Sequence, residues 1–366
     1  MKRIIISGGG TGGHIFPAIS IADALRDSGT ECEILFVGAN GKMEMERVPK
    51  AGYKIIGLPV AGLQRKLSIK NLALPMKMAK SLCRAKKIIR EFKPDVVVGV
   101  GGYASAPLLM AACRMHIPTL IQEQNSFAGL TNRKLGKKVD KICVAYDGMD
   151  KFFPASKILF TGNPIRKDIN PPTPEQRVEG YKYYGLDPDK KTLFVVGGSL
   201  GARTLNESVQ KWIIEKGDKA GFQVLWQSGK YYRSEIEGFL KQHTCPAVKN
   251  CTFIDRMDLA YAVADVIVSR AGAGTISELC VEGKATIFVP SPNVAEDHQR
   301  HNAMALVEKD AAMMVLDADA REKLMDTAEA LLADPEKIAL MEQNIIKLGK
   351  KHAAEDIANE VLKLCN

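Results

Sequence analysis

Short apolar runs alternate with longer amphipathic stretches along most of the chain. In the first half the runs predict strands at 2–7, 31–37, 53–58, 95–100, 117–122, 139–145 and 156–161, with helices at 14–28, 68–92 and 104–114. Near-continuous apolar strands separated by helices imply a parallel sheet covered on both faces. The alternation breaks after Gly162-Asn163-Pro164, and Pro171, Pro172 and Pro174 mark a linker. A second series then predicts strands near 192–197, 222–226, 251–254, 265–269, 285–289 and 312–315, with helices at 202–216, 230–241, 274–282 and 299–308. The C-terminal stretch is helical in pattern over 318–333, 335–347 and 350–364, and the last of these is expected to return to the first domain.

Glycine clusters stand where predicted strands run into helices. Strand 2–7 leads into GGGTGGH (Gly8–His14), and strand 192–197 into GGSLGAR (Gly197–Arg203). Such a loop brings backbone N–H groups and the positive end of a helix dipole to an anion. Two of them imply two similar α/β domains with a phosphorylated ligand between. Gly8, Gly10 and Gly13 satisfy a dinucleotide-binding pattern, but that reading wants an acid at the end of the second strand. The strand ends Val37-Gly38-Ala39-Asn40, which argues against a nicotinamide cofactor and an oxidoreductase.

Other polar groups fall at the same strand ends. His14 follows the first loop; it is either a packed or capping histidine or a base that takes a proton from an attacking hydroxyl. Gly99–Gly102 and Glu123-Gln124-Asn125 end two further strands on that edge. In the second half, RAGAGTISE (Arg270–Glu278) puts Gly272 and Gly274 before a helix start, with Glu278 one turn on. A carboxylate there accepts two hydrogen bonds from a ribose diol, or simply sits well near a helix N-terminus. Phe253-Ile254-Asp255 is expected to close strand 251–254, where exposed backbone pairs with a planar base. Glu296-Asp297-His298-Gln299 heads another helix, and its spacing does not suit a metal.

Composition narrows the setting. A chain of 366 residues, 46% hydrophobic and 25% charged, has room for two ordinary globular cores. Eight cysteines without a CxxC pair read as free buried thiols in a reducing compartment. No stretch reads as a signal peptide or membrane span, so a cytoplasmic location is expected. The net charge is +9, and segment 65–93, with ten basic residues against the single acid Glu91, accounts for all of it. Leu72, Leu74, Met76, Met78 and Leu82 stand beside those cations, and Pro75 starts or bends the helix. This basic and apolar surface suits an anionic bilayer. With Phe92 its only aromatic, it suits nucleic acid poorly.

Taken in order, GGGTGGHIFPA, GGYASAP, EQNSFAG, GNPIR, GGSLGAR, FIDRM, RAGAGTISE and EDHQ resemble the MurG family over essentially the whole chain. The resemblance implies a GT-B fold, two Rossmann-like domains with parallel sheets facing across a cleft. An acceptor and membrane domain would span 1–163, with 350–366 packed back on it, and a UDP-sugar domain 164–349. It implies inverting transfer of N-acetylglucosamine from UDP-GlcNAc to the C4 hydroxyl of lipid I, giving lipid II, with no cofactor and no obligatory metal. The enzyme would sit peripherally on the cytoplasmic face of the inner membrane through 65–93. By resemblance Thr11, Gly12, Gly13 and Asn125 meet the donor sugar and line the acceptor side, while Arg166 and Ser199 meet the diphosphate. Ile254 reads uracil through its backbone, Ala273, Gly274 and Thr275 cradle phosphate, Glu278 takes the ribose and Gln299 the sugar. His14 is the expected base and Glu123 its competitor. The rival readings are a diacylglycerol glycosyltransferase, a UDP-sugar epimerase, an oxidoreductase and a non-enzymatic binder.

Overall fold

A computed structural model describes residues 1–60 and 74–365. The chain divides into two compact units, Met1–Arg166 with Lys350–Asn366, and Lys167–Gly349. Each unit is a wholly parallel sheet flanked by helices.

The first sheet has seven strands: β1 (Lys2–Gly8), β2 (Cys32–Ala39), β3 (Lys54–Leu58), β4 (Val96–Gly101), β5 (Thr119–Glu123), β6 (Lys141–Val144) and β7 (Ile158–Phe160), in the order β3-β2-β1-β4-β5-β6-β7. Ile4, Ile5 and Ile6 are fully buried, since successive residues of a central parallel strand point into both helical layers. Helix α1 (Gly12–Asp27) packs Ile15, Ala18 and Ile21 on one face of the sheet, together with Ile357, Ala358 and Val361 from the C-terminal helix α14 (Ala353–Leu364). Helices α3 (Leu74–Phe92) and α4 (Ser105–Arg114) cover the other face through Ala85, Ile88, Ile89, Leu108 and Leu109.

The second sheet has six strands: β8 (Lys191–Val196), β9 (Phe222–Gln227), β10 (Val248–Cys251), β11 (Val266–Ser269), β12 (Thr286–Phe288) and β13 (Met313–Met314), in the order β10-β9-β8-β11-β12-β13. Its largest core cluster gathers Trp212, Trp226, Leu324 and Met341 around β8 and β9.

In both sheets strand order reverses beside the first strand of the unit, between β1 and β4 and between β8 and β11. Crevices open at the carboxyl ends of the strands at such a reversal. All four glycine clusters read from the sequence lie at these two points.

The structure departs from expectation in four respects. The strand expected at 251–254 is Val248–Cys251, in register with Val224–Gln227, so Phe253-Ile254-Asp255 follows the strand instead of ending it. Pro174 does not belong to a linker. It is the first residue of α6 (Pro174–Tyr184), where a missing N–H costs nothing, and Thr173 and Gln176 cap that helix reciprocally. Helices α2 (Glu44–Lys50), α5 (Leu130–Gly136) and α9 (Met257–Val263) are too short for periodicity to reveal. All eight cysteines are free, but only Cys143, Cys245 and Cys280 are buried, and Cys83 is exposed.

The first part of the basic segment, including Arg65, Lys66, Lys70 and Leu72, lies outside the described residues. In α3, Lys77, Lys80, Arg84 and Arg90 are exposed, as are Met76 and Met78, while Ser81, Ala85, Ile88 and Ile89 face the core. Among the described residues no helix is long and apolar enough to cross a membrane.

Candidate active site

At the first reversal point two glycine turns are pressed together. A Cβ on Gly102 (φ +91°) would overlap the Gly9 backbone, and one on Gly101 (φ +100°) would lie 2.5 Å from Cδ2 and 2.8 Å from Nε2 of His14. Only glycine tolerates both the positive φ and this approach. The imidazole of His14 is therefore seated against the Gly101 backbone. Its Nδ1 lies 3.1 Å from the carbonyl oxygen of Gly9 and 3.3 Å from Oγ1 of Thr11. A carbonyl only accepts, so this contact is a hydrogen bond when the ring carries a proton on Nδ1, the tautomer in which Nε2 is the basic nitrogen. Gly12 and Gly13 form the first turn of α1, whose start has no side-chain cap.

Sequence reading missed a group beneath this loop. Glu44, fully buried, accepts from the backbone N–H of Gly10 (2.8 Å) and of Ala39 (2.9 Å). The loop expected to hold a ligand's anion thus spends the Gly10 N–H on an internal carboxylate. The signal lay in Gly9 and Gly38, where any Cβ would strike the Glu44 side chain.

Glu123, at the end of β5, is also buried. Its Oε1 accepts from the backbone (3.1 Å) and side-chain (3.3 Å) nitrogens of Asn125, and its Oε2 from Gly129 N–H (3.2 Å) and Asn132 Nδ2 (2.9 Å). Burial pushes its pKa up, and these four donors pull the other way. They hold Glu123 as the anchor of the 123–132 loop. Beside it, Gln122 Nε2 donates to Asn163 Oδ1 (2.8 Å), and Asn163 Nδ2 donates to the Gln124 carbonyl (3.0 Å). Arg166, three residues on, is exposed.

At the second reversal point the loop 197–202 carries an exposed Ser199. Lys230 N–H donates to the Ser199 carbonyl (3.1 Å). Buried Gln227, at the end of β9, donates from Nε2 to the Gly198 carbonyl (2.8 Å) and accepts the N–H of Ile254 on Oε1 (3.0 Å). It ties the glycine loop to the segment expected to read a base, and of the two backbone polar groups of Ile254 it engages the N–H. This residue, too, went unnoticed in the sequence.

Helix α10 (Ala273–Glu282) begins beside that loop, with Gly272 at its N-cap and no side-chain cap. The N–H groups of its first turn, from Ala273, Gly274 and Thr275, have no intrahelical acceptor. A Cβ on Gly274 would meet nothing within 4 Å, so the protein itself does not demand glycine there. Glu278 stands in the second turn, partly exposed. Arg270 is turned away, bonded to the Val289 carbonyl and to Asp317, whose other oxygen accepts from Thr204. Gln299, in the first turn of α11 (His298–Val307), accepts Ser291 N–H on Oε1 (2.8 Å), which leaves its Nε2 to donate. Glu296 and Asp297 before it hold positive φ of 53° and 50°, a local strain of the kind found at ligand sites.

Comparison with known proteins agrees with this arrangement. Residues 4–144 match the glycosyltransferase family 28 N-terminal domain and 192–361 its C-terminal domain. The chain is 54% identical to the UDP-N-acetylglucosamine--N-acetylmuramyl-(pentapeptide) pyrophosphoryl-undecaprenol N-acetylglucosamine transferase of Parabacteroides distasonis, over 99% of this chain and 98% of that one. It is 54% identical to the Cytophaga hutchinsonii protein of the same name, over 100% and 97%. A crystal structure of Acinetobacter baumannii MurG matches with a TM-score of 0.82 at 26% identity, covering 99% of this chain and all of that one. A UDP-GlcNAc 2-epimerase from Neisseria meningitidis shares the fold, with a TM-score of 0.67 at 14% identity over 99% and 100%. With both domain models matched in order and half the residues shared with full-length relatives, this GT-B chain belongs to glycosyltransferase family 28 and, within it, to the MurG family.

Proposed function

We propose that this chain transfers N-acetylglucosamine from UDP-GlcNAc to lipid I, the undecaprenyl-diphosphate-linked N-acetylmuramyl-pentapeptide, giving lipid II. The observation that carries the reading is the uncapped start of α10 beside the 197–202 loop, in a chain 54% identical to transferases named for this reaction. In this reading the second unit grips the nucleotide. The Ile254 carbonyl accepts uracil N3–H, Glu278 accepts from the ribose diol, and Gln299 Nε2 donates to the sugar. Ser199 and the N–H groups of Ala273, Gly274 and Thr275 meet the diphosphate.

The first unit handles the acceptor. Thr11, Gly12, Gly13 and Asn125 border the reacting sugars. The lipid I C4 oxygen attacks C1 of N-acetylglucosamine from the face opposite UDP, so the configuration inverts. As the C4 oxygen bonds to C1, its proton passes to His14 Nε2. The bond from C1 to the diphosphate oxygen breaks, and its electron pair leaves with UDP. Fixed N–H dipoles at α10 stabilise that developing charge without reorganising. His14 is favoured over Glu123 because four loop donors on the two Glu123 oxygens weaken that carboxylate as a base, and with Nδ1–H turned to the Gly9 carbonyl the basic atom of His14 would be Nε2.

The exposed lysines and methionines of α3 are proposed to rest on the anionic inner-membrane surface, where lipid I is found. Competition decides the acceptor: with radiolabelled UDP-GlcNAc and equal lipid I and diacylglycerol in mixed micelles, label is expected in lipid II alone. Label in a glycosyl-diacylglycerol would overturn the reading.

A further inference from the structure

The Gly9 carbonyl and the Gly10 N–H belong to one peptide group, and both ends of it are held. The N–H points at Glu44 Oε2 (2.8 Å), and the carbonyl faces His14 Nδ1 (3.1 Å). The second oxygen of Glu44 is tied to Ala39 N–H at the end of β2 (2.9 Å), so the carboxylate cannot swing away. Two glycines make room for it: a Cβ on Gly9 would collide with its carboxyl group, and one on Gly38 would lie 2.6 Å from its Cγ. Gly102 is packed against the same Gly9 backbone, where a Cβ would collide with the Gly9 carbonyl oxygen. Glu44, His14 and Gly102 thus all meet the Gly9–Gly10 backbone, and Ala39 and Gly38 fix Glu44 in turn.

From this we propose that Glu44 is a positioning residue for His14, acting through the Gly9–Gly10 peptide as a carboxylate–peptide–imidazole relay. The proposal deepens the reading of His14 as the base. A carboxylate on the N–H side fixes the plane so that its carbonyl faces the imidazole. It also draws electron density toward that carbonyl, as hydrogen bonds in a chain polarise one another. The carbonyl then holds the Nδ1–H tautomer and favours the imidazolium that forms when Nε2 takes the acceptor's proton. This is the part a carboxylate bonded directly to a histidine plays elsewhere, with one peptide group interposed. Tyr103 also packs on the loop, its ring 3.8 Å from where a Cβ on Gly10 would stand, and Thr11 Oγ1 lies beside Nδ1. Glu44 touches neither substrate in the proposed reaction.

The test uses the full chain, with 15N-labelled histidine followed by NMR and the His14 signal assigned by its loss in His14→Gln. The wild type is expected to show the Nδ1–H tautomer, and an Nε2–H tautomer overturns the relay even if every Glu44 variant fails to fold. Glu44→Gln, which presents an NH2 to one of two N–H donors, is expected to lower the His14 titration midpoint by about half a pH unit or more. The acid limb of kcat should move the same way, and kcat at pH 8 should fall about tenfold with the KM for UDP-GlcNAc unchanged. A folded Glu44→Gln with an unmoved midpoint overturns the relay. A lowered midpoint with an unmoved kcat limb leaves the relay standing and overturns His14 as the base.

Discussion

Gly101→Ala tests the seating of His14 without touching any group assigned to the donor. The new Cβ would lie 2.5 Å from Cδ2 of the imidazole, where carbon atoms normally rest about 3.5–4.0 Å apart. The ring must therefore retreat by about 1 Å, or the backbone must yield. Gly101 holds φ at +100°, so yielding has its own cost, roughly 1–3 kcal/mol for a non-glycine residue in such a region. A 1 Å misplacement of a reacting group lowers the rate about 100-fold. We expect the single-turnover rate of transfer to lipid I, at saturating UDP-GlcNAc, to fall by about that factor. UDP affinity by calorimetry, read from the second unit, should stay within threefold, and a thermal melt should still be cooperative. A folded Gly101→Ala whose rate stays within threefold of wild type would refute both the seating of His14 and its role.

Three further outcomes follow from other parts of the chain. Glu278→Ala is expected to raise the KM for UDP-GlcNAc at least tenfold, and 2′-deoxyribose donor analogues should bind the variant and the wild type equally; a donor KM within twofold of wild type would remove Glu278 from the ribose. Burial pushes Glu282 up to about 8, and its Oε2 has no partner among the described residues. The folded chain keeps that proton between about pH 4.5 and 8 while the unfolded chain has lost it, so this carboxyl costs stability progressively as pH rises through the window. Glu282→Gln should therefore raise the urea midpoint more at pH 8.5 than at pH 5, and an equal effect at both would contradict the burial argument. Binding to anionic vesicles should weaken steeply between 50 and about 300 mM salt as charges are screened, and Lys77→Glu with Lys80→Glu should reduce it; affinity indifferent to salt and lipid charge would count against α3 as the membrane face.

The long, strongly patterned elements were legible in the sequence because buried parallel strands are apolar throughout and their helices are amphipathic. The glycine clusters were legible for a firmer reason: at Gly102 and Gly201 a Cβ would collide with a neighbouring loop, and at Gly101 with the His14 ring. What escaped was tertiary. Glu44 looks like any surface acid at a helix start, and only the fold shows its two backbone donors. Gln227 ends an apolar strand and bridges two loops that lie far apart in sequence from each other, Gly198 and Ile254. Of the proline cluster only Pro174 misled: Pro171 and Pro172 do lie in irregular chain after the unit boundary, whereas Pro174 starts the next helix, as the cap formed by Thr173 and Gln176 shows.

The account rests on the nucleotide being held by the second unit while His14 of the first takes the acceptor's proton. His14→Ala separates the two most directly, with UDP affinity and single-turnover transfer measured on the same sample. The account predicts transfer slowed by about 10²–10⁴ with UDP affinity unchanged. Transfer at the wild-type rate, or loss of UDP binding in the same measure as loss of rate, would contradict it.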